Sequence, residues 1–344
     1  MRLLGANVYR VVPNQPINGQ WNLSPLTYYD LVGKMRGFGG NCIKIYSRAA
    51  MWLTPGLAHD ALSQARQRAK EVGITFAMTG HGDRIYPATE KDGYINKAAV
   101  ILNENGLGDQ WINDYVTVIR ELQPDALEIM NEPPDATLGN HPALTFAAYR
   151  TFITRAIEAY RAAKPDLTLC IDGCPFWTQF DFAKNPLPYQ NLLYCFHLHY
   201  MGTAPLSTSD PVSQWFNNYW NGNLATAKVN LEAFMNTYEG LSALKTAGLS
   251  ILFTESGTWM TMPHWDAWLQ DMFDLAKKYN SGFLEHSFGA NPPDIDSILN
   301  ADWATLNNVG LIWQKNIQQA AGLSLPQLLG LAALFLLMRG KPSV

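Results

Sequence analysis

Eight short, nearly continuous apolar runs, separated by helical stretches or long connections, predict a single-domain α/β protein with (β/α)8 barrel architecture. Runs that are apolar at odd and even positions alike are what parallel strands buried on both faces require. Two further observations favour the closed barrel over an open, doubly wound sheet. No G-x-G-x-x-G or phosphate-binding loop follows any strand. The long polar connections also all leave the same ends of the strands, while the returns from helix to strand (EVG, QPD, TAG, YNS) are short.

Taken in order, the first strand is expected at about 3–12 (LLGANVYRVV), followed by a helix over about 25–38. The second strand is expected at about 41–47 (NCIKIYS), with an Ala-, Gln- and Arg-rich helix over about 56–72. GITFAMTG at about 73–80 is the third strand, and a helix over about 108–122 leads to DALEIMN, the fourth, at about 125–131. A long amphipathic helix over about 142–163 precedes LTLCIDG at about 167–173. LLYCFHLHY at about 192–200 and LSILFTES at about 249–256 are strands six and seven, with a helix over about 223–246 between them. A helix over about 264–279, the strand GFLEHSF at about 282–288 and a helix over about 303–321 complete the series. The segments 81–107, 201–222 and 289–302 read as long loops on the C-terminal face, where barrels of this type build their sites.

Composition narrows the class. With 47% apolar and 16% charged residues and a net charge of −4, the chain buries a large core and has no basic field for nucleic acid. Cys42, Cys170, Cys174 and Cys195 lie in or beside apolar runs and read as buried free thiols rather than a disulfide or zinc framework. Several tryptophans, among them Trp52, Trp177, Trp215, Trp220, Trp259 and Trp303, fall in loops or at element ends. Aromatic faces around a cleft suit the apolar faces of sugar rings.

The strand ends are unusually polar. Strand four ends in Asn131 and Glu132 (EIMNEPPD) and strand seven in Glu255 (ILFTESGTW). Strand three ends at His81, strand six in His197, His199 and Tyr200, and strand eight at Glu285 and His286. An apolar run that terminates in a carboxylate is costly to build for structure alone, because an unpaired buried charge costs several kcal/mol. Two glutamates facing each other across a barrel mouth are what retaining glycoside hydrolysis needs, with their carboxyls about 5–5.5 Å apart.

These residues carry a family resemblance. EIMNEPPD resembles the N-E-P signature of retaining barrel glycosidases of the clan that contains glycoside hydrolase family 5, and FTESGTW resembles that family's second glutamate on strand seven. The resemblance covers nearly the whole barrel. It implies a β-glycosidase acting on a β-linked glucan, mannan or related glycan, without a cofactor. It further implies Glu132 as general acid/base with a raised pKa, Glu255 as nucleophile, and Asn131 bonded to the sugar 2-hydroxyl. His81 and His197 would line the site. The family's His-x-Tyr on strand six stands here as His197-Leu198-His199-Tyr200, so strict alternation puts His199 at the mouth, and a strand-six bulge would restore Tyr200. Where the family has an arginine on strand two, Lys44 or Arg48 is the available cation. Where the family usually has a strand-eight tryptophan, GFLEHSFG offers His286 or Phe288, and Trp303 would serve only by folding back. Trp177 and Trp259 complete the expected sugar-contacting set.

Two other classes are open on the sequence. A metal-dependent barrel hydrolase would use His81, His197 and His199, and a non-catalytic sugar-binding barrel would need neither carboxylate. Residues 1–321 are expected to form the barrel domain, and 322–344 a separate hydrophobic tail. Nothing resembling a secretory signal precedes the first strand, whereas GLSLPQLLGLAALFLLM at 322–338 is uncharged and suggests a membrane or sorting segment.

Overall fold

The computed structural model describes residues 2–8, 26–80, 90–134, 136–137, 139–173, 180–202, 204–206, 210–286, 298–300 and 304–320. Eight parallel strands close on themselves in sequence order: β1 (Leu4–Val8), β2 (Cys42–Ser47), β3 (Thr75–Gly80), β4 (Ala126–Glu128), β5 (Thr168–Asp172), β6 (Leu192–Tyr200), β7 (Ile251–Thr258) and β8 (Gly282–His286), with β8 pairing β1. The barrel is as the apolar runs predict.

Around it lie α1 (Tyr28–Gly37), α2 (Ala49–Leu53), α3 (Leu57–Val72), α4 (Glu90–Ile101), α5 (Leu107–Leu122), α6 (Phe146–Ala163), α7 (Phe180–Lys184), α8 (Pro211–Trp220), α9 (Leu224–Thr237), α10 (Leu241–Thr246), α11 (Trp265–Lys278) and α12 (Asn308–Ala320). Local chemistry sets their ends. Thr27 and Asp30 form a capping box at the start of α1, Thr145 caps α6, and Asp210 with Pro211 opens α8. Trp111, Ile112, Tyr115, Val118, Ile119 and Leu122 make the buried stripe of α5 at the spacing a packed helix requires.

Two expectations change. The helix expected over 223–246 divides into α9, which ends at Thr237, and α10, whose N-cap is Gly240 with a φ of +77°. The stretches 81–107 and 201–222, expected as loops, contain α4 and α8. No described helix is long and apolar enough to cross a membrane, and the 322–338 segment lies outside the described residues.

The barrel interior is layered. At its base Leu3, Cys42, Ala77, Ala126, Cys170, Cys195, Leu252 and Leu284, one from each strand or its start, form a small apolar floor. Cys42, Cys170 and Cys195 are buried free thiols, as expected; Cys174 lies outside the described residues. Two residues further along β2 to β6 the inward positions turn polar: Lys44, Thr79, Glu128, Asp172 and His197 are all buried. Gly5 in β1 has no room for a side chain, because a β-carbon there would overlap the carbonyl of Cys42.

The register of β7 has one irregularity with functional weight. Phe196 of β6 pairs with Phe253, but His197 pairs with Glu255, so Thr254 is an extra residue in β7. The β8 side agrees: Phe253 pairs with Phe283 and Ser256 with Glu285. Simple alternation from Leu252 on the floor would turn Thr254 inward and Glu255 outward. The bulge reverses that parity and points Glu255 into the mouth. Asn7 of β1 steadies the bulge, its Nδ2 donating to the carbonyl of Thr254 at 2.8 Å.

Candidate active site

Glu132 and Glu255 meet at the mouth. One carboxylate oxygen of each, together with a ring nitrogen of His197, lie within 4.8 Å of one another. Nδ1 of His197 is 3.2 Å from Oε1 of Glu132 and 3.3 Å from Oε2 of Glu255, so one imidazole edge faces both acids. His286 places Nε2 3.1 Å from Oε1 of Glu255, and His199 places Nε2 3.6 Å from the same oxygen. The phenol of Tyr46 donates to Oε2 of Glu255.

A buried polar layer lies beneath. Lys44 Nζ bonds Glu128 Oε2 at 3.0 Å, and Thr79 donates to the same oxygen. Nε2 of His197 is 3.3 Å from Asp172 Oδ2 and 3.6 Å from Glu128 Oε1. Glu128, four residues before Glu132, is also an acid near the pair, but its side chain is 0% exposed, against 28% for Glu132. Of the two glutamates, Glu132 is the one open to the barrel mouth.

Electrostatics follow from this crowding. Burial pushes His197 down, but the charges of Asp172 and Glu255 and the bonds to Glu128 and Glu132 outweigh it and hold the imidazole protonated well above its usual range. Burial pushes Glu255 up, yet the charges of His197 and His286 and the bonds from His199 and His286 hold it well below the carboxylate range. Burial also pushes Glu132 up, as does Glu255. The hydrogen bond and charge of His197, with Lys97, outweigh both, and the net shift is downward. This corrects the expectation of a raised pKa for Glu132: a protonated imidazole at its side stabilises the carboxylate. Asp172, by contrast, is pushed up to about 7, chiefly by burial.

Other expected residues divide. His197, His199 and His286 converge on Glu255 as alternation implies. Tyr200 does not: its ring packs outward among Trp215, Phe216, Tyr219 and Trp268, and its hydroxyl donates to the carbonyl of Pro263 at 3.0 Å. The bulge lies in β7 rather than β6, so β6 keeps strict parity and Tyr200 stays on the outer face. Its expected place beside Glu255 is taken by Tyr46 of β2. Lys44 points into the barrel but serves Glu128 one layer below the mouth, while Arg48 stands past β2 at the N-cap of α2. The basic side chains beside Glu255 are histidines instead. Asn131 is buried, with Oδ1 lacking a hydrogen-bond partner among the described residues, and half-buried Trp259 directly follows β7. His81 and Trp177, like Trp303, lie outside the described residues.

Among the described residues, two groups have metal-ligating atoms close together, Glu128–Asp172–His197 and Glu132–His197–Glu255. In the first, Lys44 already neutralises Glu128, and His197 is common to both as a cation rather than a neutral ligand. The donor set therefore fits proton and charge chemistry better than a metal centre.

No family model matches the sequence, and no curated protein matches it. Solved structures do. An endocellulase from Pyrococcus horikoshii in complex with cellotetraose is 17% identical, with a TM-score of 0.68 over 93% of this chain and 92% of that one. The catalytic domain of the major endoglucanase from Xanthomonas campestris pv. campestris is 17% identical, with a TM-score of 0.64 over 92% of this chain and 94% of that one. A β-glucanase from Saccharophagus degradans is 14% identical, with a TM-score of 0.62 over 93% of this chain and 88% of that one. The chain thus shares the closed barrel of these enzymes along nearly its whole length, which agrees in fold with the resemblance carried by EIMNEPPD and FTESGTW.

Proposed function

We propose that the chain is a retaining glycoside hydrolase acting on β-linked glycans, with β-glucan as the first candidate substrate. The observation that carries this reading is the approach of Glu132 and Glu255 to within 4.8 Å with His197 between them. An inverting pair stands about 6.5–9.5 Å apart to admit a water, whereas a retaining pair is about 5–5.5 Å apart. The cellotetraose bound by the Pyrococcus endocellulase supports the choice of sugar.

In the first step a carboxylate oxygen of Glu255 attacks the anomeric carbon as the glycosidic C–O bond breaks, and Glu132 gives its proton to the departing oxygen. The result is a glycosyl ester on Glu255 and an ionised Glu132. In the second step Glu132 takes a proton from water, the hydroxyl adds to the anomeric carbon, and the ester bond to Glu255 breaks. Tyr46, His199 and His286 hold the nucleophile ionised and oriented. Asn131, whose Oδ1 has no partner among the described residues, is the candidate partner of the sugar 2-hydroxyl, and Trp259 a candidate stacking face. Incubation with cello-oligosaccharides, mannan and mixed-linkage glucan, with proton NMR of the first product, tests the reading. A β-anomer is expected to appear first; an initial α-anomer, or no turnover on any β-glycan, overturns it.

The pH profile has a definite sign. kcat/KM needs Glu255 ionised and Glu132 protonated, so it rises through the first pKa and falls as pH climbs through the second. Both are held below their ordinary values, Glu255 more strongly. The optimum is therefore expected on the acid side of the normal glutamate value of about 4.3. His197→Asn, which removes the cation beside Glu132, is expected to move the falling limb to higher pH. An unmoved limb would break the proposed coupling.

A further inference from the structure

Asp172 is the last residue of β5 and is wholly buried. Its Oδ2 accepts the backbone N–H of Glu132 at 2.7 Å and lies 3.3 Å from Nε2 of His197. A single oxygen thus meets the main chain of one catalytic glutamate and the far side of the imidazole that faces both.

The main chain at Glu132 needs holding. Its φ is +46°, a left-handed conformation that costs an L-residue about 1–2 kcal/mol, and Pro133 restricts it from the other side. Asp172 grips the N–H of this residue, and Lys97 Nζ grips its carbonyl at 3.1 Å. Asp172 is itself anchored, because Tyr149 of α6 donates to its backbone carbonyl at 2.6 Å. Helix α6, strand β5 and the end of β4 are therefore joined in series behind the mouth. Burying a carboxylate here is costly, and both of the Oδ2 contacts described belong to the site rather than to the barrel wall.

We propose that Asp172 is the positioning residue of the acid/base: it holds Glu132 in the left-handed conformation that aims its carboxyl at the mouth, and fixes the plane of His197 between the two acids. This rests on the reading of Glu132 as acid/base. Because Oδ2 acts as an acceptor toward Glu132, the loss on removing it falls on proton delivery rather than on sugar binding.

The test uses leaving groups. Asp172→Ala, Asp172→Asn and Glu132→Ala are compared with the unaltered chain on cellotetraose, whose leaving alcohol needs a proton, and on 2,4-dinitrophenyl β-cellobioside, whose phenolate leaves without one. For Asp172→Ala, kcat on cellotetraose is expected to fall about 10- to 100-fold with KM within about twofold. Its dinitrophenolate burst rate is expected to stay within about threefold of the unaltered chain. Asp172→Asn, whose amide oxygen still accepts the N–H, is expected to recover most of the loss. Equal losses on both substrates, or no loss on cellotetraose, overturn the proposal. If Asp172→Ala fails to fold, Asp172→Asn carries the same comparison, with the same leaving-group pattern expected in its smaller loss. Should Glu132→Ala itself fail to distinguish the two substrates, the acid/base reading fails; if it distinguishes them and the Asp172 variants do not, only the role of Asp172 falls.

Discussion

Glu255→Gln is expected to lower kcat on any β-glucan substrate by about 10⁴- to 10⁶-fold, the range seen when a covalent nucleophile is removed. Glutamine keeps the size of the side chain and can still accept from Tyr46 and His286, so the barrel should melt at nearly the same temperature. What it lacks is a carboxylate able to form an ester with the anomeric carbon. Mass spectrometry gives a second readout. A 2-fluoro cellobioside with an activated leaving group should add one glycosyl unit to the peptide containing Glu255 in the unaltered chain and none in the variant. Turnover within about tenfold of normal would remove Glu255 from the role of nucleophile.

The second large effect concerns stability. Lys44→Met should cost about 3–5 kcal/mol, because it deletes one member of a buried pair and leaves the Glu128 carboxylate uncompensated. The two side chains are 1% and 0% exposed at 3.0 Å, so water cannot substitute for the lost ammonium. Lys44→Met with Glu128→Gln should recover much of that loss. The pair also has a pH signature. Burial raises Glu128, but Lys44 and His197 outweigh it and leave the folded value below the ordinary one. A depressed folded pKa adds stability that is present above the unfolded value and is lost as pH falls through the folded one. The cost of Lys44→Met should therefore be largest near neutral pH and shrink in acid. Denaturant melts at several pH values measure it, and a cost below about 1 kcal/mol at neutral pH would mean that Glu128 is held by other groups.

The architecture was legible because a parallel barrel strand must be apolar on both faces, and that leaves eight runs no amphipathic helix imitates. What sequence could not resolve has physical causes. Helix α4 lies within a polar stretch and carries Gly93, so its residues resemble a loop. The opening of α8 was marked by Asp210 and Pro211, a cap signal that the surrounding Gly, Ser and Pro obscured. Within the site, Glu132, Glu255, His197, His199 and His286 were visible as polar ends of apolar runs. Asp172 ends LTLCID in the same manner, and the rule applied to β4 and β7 would have found it. Tyr46 gave no such signal, because a tyrosine inside an apolar strand is ordinary core. Tyr200 was misjudged through the position of the bulge, since a register shift in a neighbouring strand leaves no mark in a strand's own sequence.

That shift decides more than one side chain's direction. In a regular β7 the carboxylate at 255 would be buried among the outer helices, and the hydroxyl of Ser256 would occupy the cavity instead. Chemical competence in this barrel thus depends on how β7 accommodates its extra residue between Phe253 and Glu255 as much as on the identity of its side chains. Ironing out the bulge with Thr254 still in place would leave every reactive group in the chain and still disassemble the pair.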